Sequence, residues 1–223
     1  MRNIFKDAKI KKELKRFKEF KNNYNFEYRP LEKKGESVFF MGTCIRENED
    51  AEWVSENDDF VNVGYKGHGK LPKVLSNLFP YEFYFKGHKF ASVEGFFQGI
   101  KFKNKKAQKL VFKMYGTMSN NIKVAQDYDW QKEQAIYFLG KKYNRHSKEY
   151  EELCDELYCA LLQNPLYVGA LKAVGEKYIL HAIGCEDDSL TVFSRFEFER
   201  ELNCLKDYCL KNKQEKRNGK NLF

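Results

Sequence analysis

The stretch Phe90–Asn104, FASVEGFFQGIKFKN, constrains this chain more than any other. Ser92 stands where a helix N-cap belongs, and Glu94 follows in the first turn, where a carboxylate suits the positive end of the helix dipole. At about 100° per residue, Glu94, Gln98 and Lys101 fall within an arc of roughly 60°. Phe97 flanks that polar line on one side and Phe102 on the other, while Phe96 and Ile100 carry apolar surface further round. Gly95 and Gly99 take the remaining side, which makes sense only if another element packs closely there. Such a helix has no ordinary solvent face. The chain must fold around it, and the polar line must open into a protein-walled cleft. Glutamate and lysine in a cleft have shifted pKa values, which is how general acids, bases and amine nucleophiles are made. The plainer alternative is a surface helix with a mild i, i+7 charge arrangement.

A chain of 223 residues is long enough to enclose that helix without disulfide or metal staples. Forty Lys+Arg against 32 Asp+Glu give a net +8, which suits an anionic partner, although lysine excess also serves solubility. No run of about 18 apolar residues occurs, so no membrane partner is expected. The N-terminus lacks the apolar core of a signal peptide, and its Asp7, Glu13 and Glu19 argue against organelle targeting, so a cytoplasmic protein is expected. Cys44, Cys154, Cys159, Cys185, Cys204 and Cys209 form no CxxC, and His68, His88, His146 and His181 are scattered. Reduced structural thiols, no metal site and no cofactor follow.

The pattern along the chain is that of an α+β domain, predominantly helical, with a few short strands in the N-terminal half. Residues 1–36 read as a basic helical extension, with Ile10, Leu14 and Phe17 on one face of its first 22 residues, and those 22 are expected to be dispensable for the chemistry. A domain over 37–210 opens with a buried strand in SVFFMGTCI (37–45) and a second in FVNVGY. A turn at Asn77–Pro80, a short strand and a turn at 86–88 follow. Helices are expected near 92–104, 105–115, 119–127, 130–143, 147–162, 164–173 and 196–210, and extended pieces near 176–183 and 190–193. The basic tail 211–223 should fray. GYKGHGKL (64–71) nearly matches a phosphate-binding loop, but Leu71 replaces the metal-binding hydroxyl and Pro72 follows, so it reads as a surface turn.

Taken together, LSNLFP, FKGHKFASVEGFFQGIKF, DWQKEQAIYFLGKKYNRHSKEYEELCDELYCALLQNP, ALKAVGEKYILHAIG and TVFSRFEFERELNCL carry a likeness over about residues 74–206. The first two resemble the signature of the NADAR (YbiA-like) family, LSNF-x-P…G-x-x-(Y/F)-x-S-(V/I)-E-x-(Y/F)-x-Q-(A/G)-x-K-(F/W), and the rest resemble one branch of it. The resemblance implies a YbiA-like α+β fold and hydrolysis of N-glycosidic bonds in ADP-ribose derivatives, such as ADP-ribosylated guanine of DNA or RNA, or in related ribosyl nucleotides. By match, the functional glutamate and lysine fall on Glu94 and Lys101, the LSN asparagine on Asn77, and an aromatic on Trp130. Shorter members end in WG…G-x-N-x-L-G; here HAIGCEDDSLTVFSRFEF stands in that place, and His181 is the candidate to carry part of its role.

The residues fit that chemistry. Breaking a ribosyl–nitrogen bond builds positive charge at the anomeric carbon, which a carboxylate such as Glu94 can stabilise. Lys101 has two possible jobs: nucleophile on that carbon, or electrostatic clamp on an anionic group. Two helical turns put the two residues about 10 Å apart along the axis, so both side chains must lean inward. Gln98 lies between them as a substrate contact. Trp130, with Gln134 and Tyr137 at i+4 and i+7, reads as a stacking wall for a nucleobase or as a core seam. His181 in its apolar stretch reads equally as a satisfied core histidine. The alternative from another class is a nucleic-acid or nucleotide-binding module without turnover, on the strength of the charge, the basic first helix and the aromatic content.

Overall fold

The computed structural model describes residues 4–64, 69–120 and 127–218, with backbone alone at 4–10, 120 and 213–218. The first half runs α1 (Ile4–Asn22), β1 (Glu32–Lys34), β2 (Ser37–Phe40), β3 (Thr43–Arg46), β4 (Phe60–Asn62), α2 (Lys70–Val74), β5 (Phe83–Phe85), β6 (His88–Phe90), α3 (Val93–Gly99), α4 (Lys105–Val111) and α5 (Gly116–Asn120). The second half runs α6 (Trp130–Glu133), β7 (Ala135–Phe138), β8 (Lys141–Asn144), α7 (Lys148–Leu161), α8 (Pro165–Val174), β9 (Tyr178–Leu180) and α9 (Arg195–Asn218). Most of the helix expected over 119–127, the centre of GYKGHGKL, the side chain of Ile10 and the last five residues of the tail lie outside the described residues.

One device closes three hairpins. Met41–Gly42, Lys86–Gly87 and Leu139–Gly140 have positive φ at both residues (49° and 80°, 46° and 80°, 52° and 92°). A two-residue loop of this kind twists in the sense of the strands it joins. It pairs Phe40 with Thr43, Phe85 with His88 and Phe138 with Lys141. The single strand expected over 37–45 is therefore the hairpin β2–β3, to which β1 adds an antiparallel edge.

The helix expected over 130–143 is also corrected. Gln134 adopts the left-handed conformation (φ 45°, ψ 40°) and stops α6 after one turn, and the chain continues as the hairpin β7–β8. Strands are thus not confined to the N-terminal half. The parallel pair β4–β9 binds the halves together, with Phe60 opposite Tyr178 and Asn62 opposite Leu180. Residues 190–193, expected to be extended, belong to no strand.

The α+β architecture has one main core. α3, the hairpins β5–β6 and β7–β8, α7, α8 and α9 all send buried side chains into it, among them Phe90, Phe96, Leu157, Leu171 and Leu202. The segment read as an extension belongs to the same core. Phe17 of α1 is fully buried against the ring of Tyr208, 5.5 Å away and edge-on. Lys18 pairs with Glu156 at 2.9 Å, Lys21 reaches both Asp155 and Glu201, and Tyr208 donates to Glu13. A smaller cluster of Val38, Phe40, Ile45, Phe60 and Leu180 fills the space between β2–β3 and β4–β9. Among the described residues no cysteine is paired, and no helix is long and apolar enough to cross a membrane.

Candidate active site

Ser92 caps α3 as its position requires: Oγ accepts from the Gly95 N–H at 3.0 Å, and the Asn77 carbonyl accepts from the Glu94 N–H at 2.9 Å. The two glycines set how close the helix comes to its neighbours. A Cβ on Gly95 would stand 3.0 Å from the Met114 carbonyl and 3.1 Å from that of Val111. A Cβ on Gly99 would stand 2.4 Å from the Phe112 ring. With α4 and the turn after it pressed against this side, the polar line faces away from them.

The helix ends sooner than the periodicity indicates. Asp127 accepts from the Lys103 and Asn104 N–H groups at 2.8 and 2.9 Å, and Asn104 caps α4 by accepting from Lys106 and Ala107. Those bonds pull residues 103–104 out of helical conformation, so Lys101 sits in the turn beyond α3. It still meets the line. Gln98 Nε2 donates to Glu94 Oε1 at 2.7 Å, and Lys101 Nζ donates to Gln98 Oε1 at 3.2 Å. The amide thus lies with its NH2 toward the carboxylate and its carbonyl toward the cation, the orientation both partners demand. Gln98 is 5% exposed and Lys101 9%, while Glu94 is half-buried.

Trp130 completes this cluster. Asp129 caps α6 by accepting from the Lys132 N–H at 3.1 Å, and the indole comes to rest with Lys101 Nζ 5.6 Å from its ring centroid. A cation over an indole is attracted by the negative face of the ring. Trp130 is 4% exposed, so it holds the lysine and is no open wall. The expected wall of Trp130, Gln134 and Tyr137 on one helix does not exist. Gln134 ends α6 and donates to the Gln131 and Ser189 carbonyls, and Tyr137 sits on β7 beside Tyr128.

Asn77 joins the site through its carbonyl on Glu94 and through its side chain, whose Oδ1 accepts from the Tyr158 hydroxyl at 2.7 Å. Burial, with Tyr167 nearby, holds the Tyr158 hydroxyl well above the ordinary phenol range, so it remains a proton donor to Asn77 at neutral pH. His181 stands further off. Its Nδ1 meets the Val63 carbonyl at 2.9 Å, its N–H donates to Glu199, and its ring packs 4.5 Å from Phe198, which contacts Phe193 in turn. Glu94, Gln98, Lys101 and Trp130 are therefore one cluster, Asn77 its flank, and His181 part of the wall behind Phe198.

Sequence reasoning missed two residues of this neighbourhood, Tyr158 and Phe193. Phe193 lies 4.9 Å from Phe97 and 5.4 Å from Tyr158, nearly parallel to both. Tyr158 sits in the apolar seam of α7, and Phe193 in a segment without periodicity. Neither position carries a local signal. Among the described residues no group of three or more His, Cys, Asp or Glu side chains is arranged to hold a metal ion.

The family described as bacteriophage protein GP30.3 matches residues 71–207, a span that contains the whole cluster, Asn77 and His181. The chain is similar to an uncharacterized 17.1 kDa protein from the Gp30–rIII intergenic region of Enterobacteria phage T4, 31% identical over 138 residues, covering 60% of this chain and 88% of that protein. Among solved structures it is similar to the NMR structure of the E. coli protein YbiA at 13% identity, with a TM-score of 0.48 over 77% of this chain and 95% of that one.

Proposed function

The chain belongs to the family of bacteriophage protein GP30.3, and from the cluster on α3 we propose that it is an N-glycosidase acting on the ribosyl–nitrogen bond of an ADP-ribosyl or related ribosyl nucleotide. The observation that carries this reading is the line Glu94–Gln98–Lys101, in which a carboxylate and an amine share one buried amide under an indole. The NADAR resemblance of residues 74–206 supports the same reaction.

In this scheme Glu94 faces the sugar and stabilises the positive charge that grows at the anomeric carbon as the bond to nitrogen lengthens. Gln98 fixes the carboxylate and the amine relative to one another, so neither reorganises in the transition state. Lys101 acts as the nucleophile, once it has lost a proton. Its nitrogen forms a bond to the anomeric carbon as the ribosyl–nitrogen bond breaks, and the departing base keeps that electron pair and takes up a proton. Ring opening gives an imine, and water releases the lysine and the free sugar. Trp130 shields the amine from bulk water.

The test is incubation of the purified chain with ADP-ribosylated guanosine and with ribosyl-pyrimidine nucleotides, followed by mass spectrometry. Release of base and of a free reducing ribosyl product is expected. Unchanged substrates after hours at micromolar enzyme would remove the assignment.

A second reading, a nucleic-acid-binding module without turnover, draws on one observation. Lys103 Nζ lies over the half-buried rings of Tyr128 and Tyr137 at 4.6 and 5.4 Å, and Lys142 stands opposite Tyr137 on β8. Aromatic rings interleaved with lysines suit single-stranded nucleic acid. Salt-sensitive binding of an oligonucleotide that persists in Glu94→Ala and Lys101→Ala, with no product, would favour it.

A further inference from the structure

Four successive carbonyls of an irregular segment are each taken by a different side chain. Ser189 O accepts from Gln134 Nε2 at 2.9 Å, Leu190 O from Gln131 Nε2 at 3.1 Å, Thr191 O from Arg145 Nε at 2.9 Å, and Val192 O from the Tyr150 hydroxyl. The segment has no strand partner, yet its backbone acceptors are satisfied as a strand's would be. Arg145 does more than donate once. It is 2% exposed, and its two terminal nitrogens grip Glu197 at 2.8 and 2.5 Å. Glu197 in turn accepts from the Ser194 N–H at 2.7 Å. The backbone is thus pinned on both sides of Phe193.

What this pinning delivers is one ring. Phe193 stacks against Phe97 of α3 and Tyr158 of α7, and those two rings are 6.5 Å apart, so both lie to one side of it. Phe193 is only half-buried. It also closes a circuit around the glutamate: Phe97 shares α3 with Glu94, Tyr158 holds Asn77, and Asn77 holds the Glu94 N–H. Trp130, which the sequence offered as a wall or as a core seam, is sealed beneath Lys101, whereas Phe193 sits on a pinned backbone and is partly open.

We propose that Phe193 is the specificity-determining wall of the site, against which the planar leaving base stacks, and that Arg145 is the residue that positions it. This rests on the N-glycosidase reading and sharpens it: the leaving group is an aromatic nucleobase. A ring held in place before the substrate arrives gives stacking at little ordering cost.

The experiment measures KM and kcat on ADP-ribosylated guanosine, and Kd for the same compound in a Glu94→Gln background. Phe193→Leu is expected to raise KM and Kd roughly 5- to 100-fold, the range of base–aromatic stacking, with kcat within about threefold of the parent. Phe193→Trp should restore both. Arg145→Lys keeps the charge but loses the fork, and should raise KM in the same sense while leaving kcat in place. Melting curves confirm that each variant is folded. A folded Phe193→Leu with the parent's KM and Kd overturns the proposal while the glycosidase reading stands. If the parent binds the compound without cleaving it, the glycosidase reading falls and the Kd comparison still decides the role of Phe193. A parent that neither binds nor cleaves it overturns both.

Discussion

Two charged clusters in this chain are built in opposite ways. On α3 and the turn after it, carboxylate and ammonium are linked through the neutral amide of Gln98, within one short stretch of sequence, and Glu94 is half-open. Between α1, α7 and α9, Lys21 contacts Asp155 and Glu201 directly, across 134 and 180 residues of sequence, and Glu201 is 1% exposed. Direct contact uses up the electrostatic capacity of both partners and locks three helices together. An intervening amide instead holds the two charged groups in a set relation to one another. The second cluster holds the fold together, and the first, on the reading proposed above, meets the substrate.

The comparison is broken most severely at Glu94. Glu94→Gln keeps shape and removes the charge that, in the proposed reaction, stabilises the transition state, so kcat should fall on the order of 100- to 1,000-fold or more with substrate affinity and melting temperature nearly unchanged. Steady-state kinetics beside a thermal melt checks it, and parent-like turnover would place Glu94 outside the mechanism.

Lys21→Met should show the reverse. Leaving the buried Glu201 and the partly exposed Asp155 without their cation should cost about 3–5 kcal/mol of stability in urea titration, with kcat per folded molecule unchanged. For the same reason, deletion of residues 1–22, which the sequence marks as expendable, should unfold or strongly destabilise the chain, because it also removes the fully buried Phe17. A well-folded deletion variant would show that α1 is an accessory after all.

The difference between the clusters also explains what was legible in the sequence. The α3 line is local, so the cap at Ser92, the spacing of Glu94, Gln98 and Lys101, and the close-packing glycines could all be read from a 3.6-residue period. What ended the helix could not, since Asp127 acts on Lys103 and Asn104 from 23 or more residues away. The hairpin β7–β8 was hidden because Leu139, not Asn or Asp, takes the first left-handed position of its turn, and AIYFLG reads as a buried helix. The Lys21 cluster and the carbonyl clamps on 189–192 are wholly nonlocal, and their lysine, glutamates and glutamines look like ordinary surface residues.

A smaller effect concerns pH. Burial, partly offset by Lys21 and reinforced by Asp155, raises the Glu201 carboxyl from 4.5 to about 7. The folded state therefore holds a proton that the unfolded state has released between those values, and stability should fall as pH rises through the window. Urea titrations at pH 5 and 7 should differ by on the order of 1–3 kcal/mol from this group, and Glu201→Gln should flatten the slope. An unchanged slope in the variant would show that Glu201 is ionised throughout. The smallest effect is expected at Lys15, whose pairing with Glu19 at 3.9 Å is solvent-exposed on both sides. Lys15→Ala should change stability by less than about 0.5 kcal/mol, and a larger loss would mean that charge pairing on α1 matters beyond the buried cluster.

The most direct measurement sets the buried lysines against one another. Borohydride added during turnover of ADP-ribosylated guanosine reduces any imine to a stable adduct, which peptide mass spectrometry can locate. The account predicts a sugar adduct on Lys101, dependent on substrate and absent from Lys101→Arg, and none on Lys21 or Lys206, which are equally shielded but committed to structure. Sustained turnover with no adduct on Lys101, or activity retained in Lys101→Arg, would contradict it and leave Glu94 and water with the chemistry.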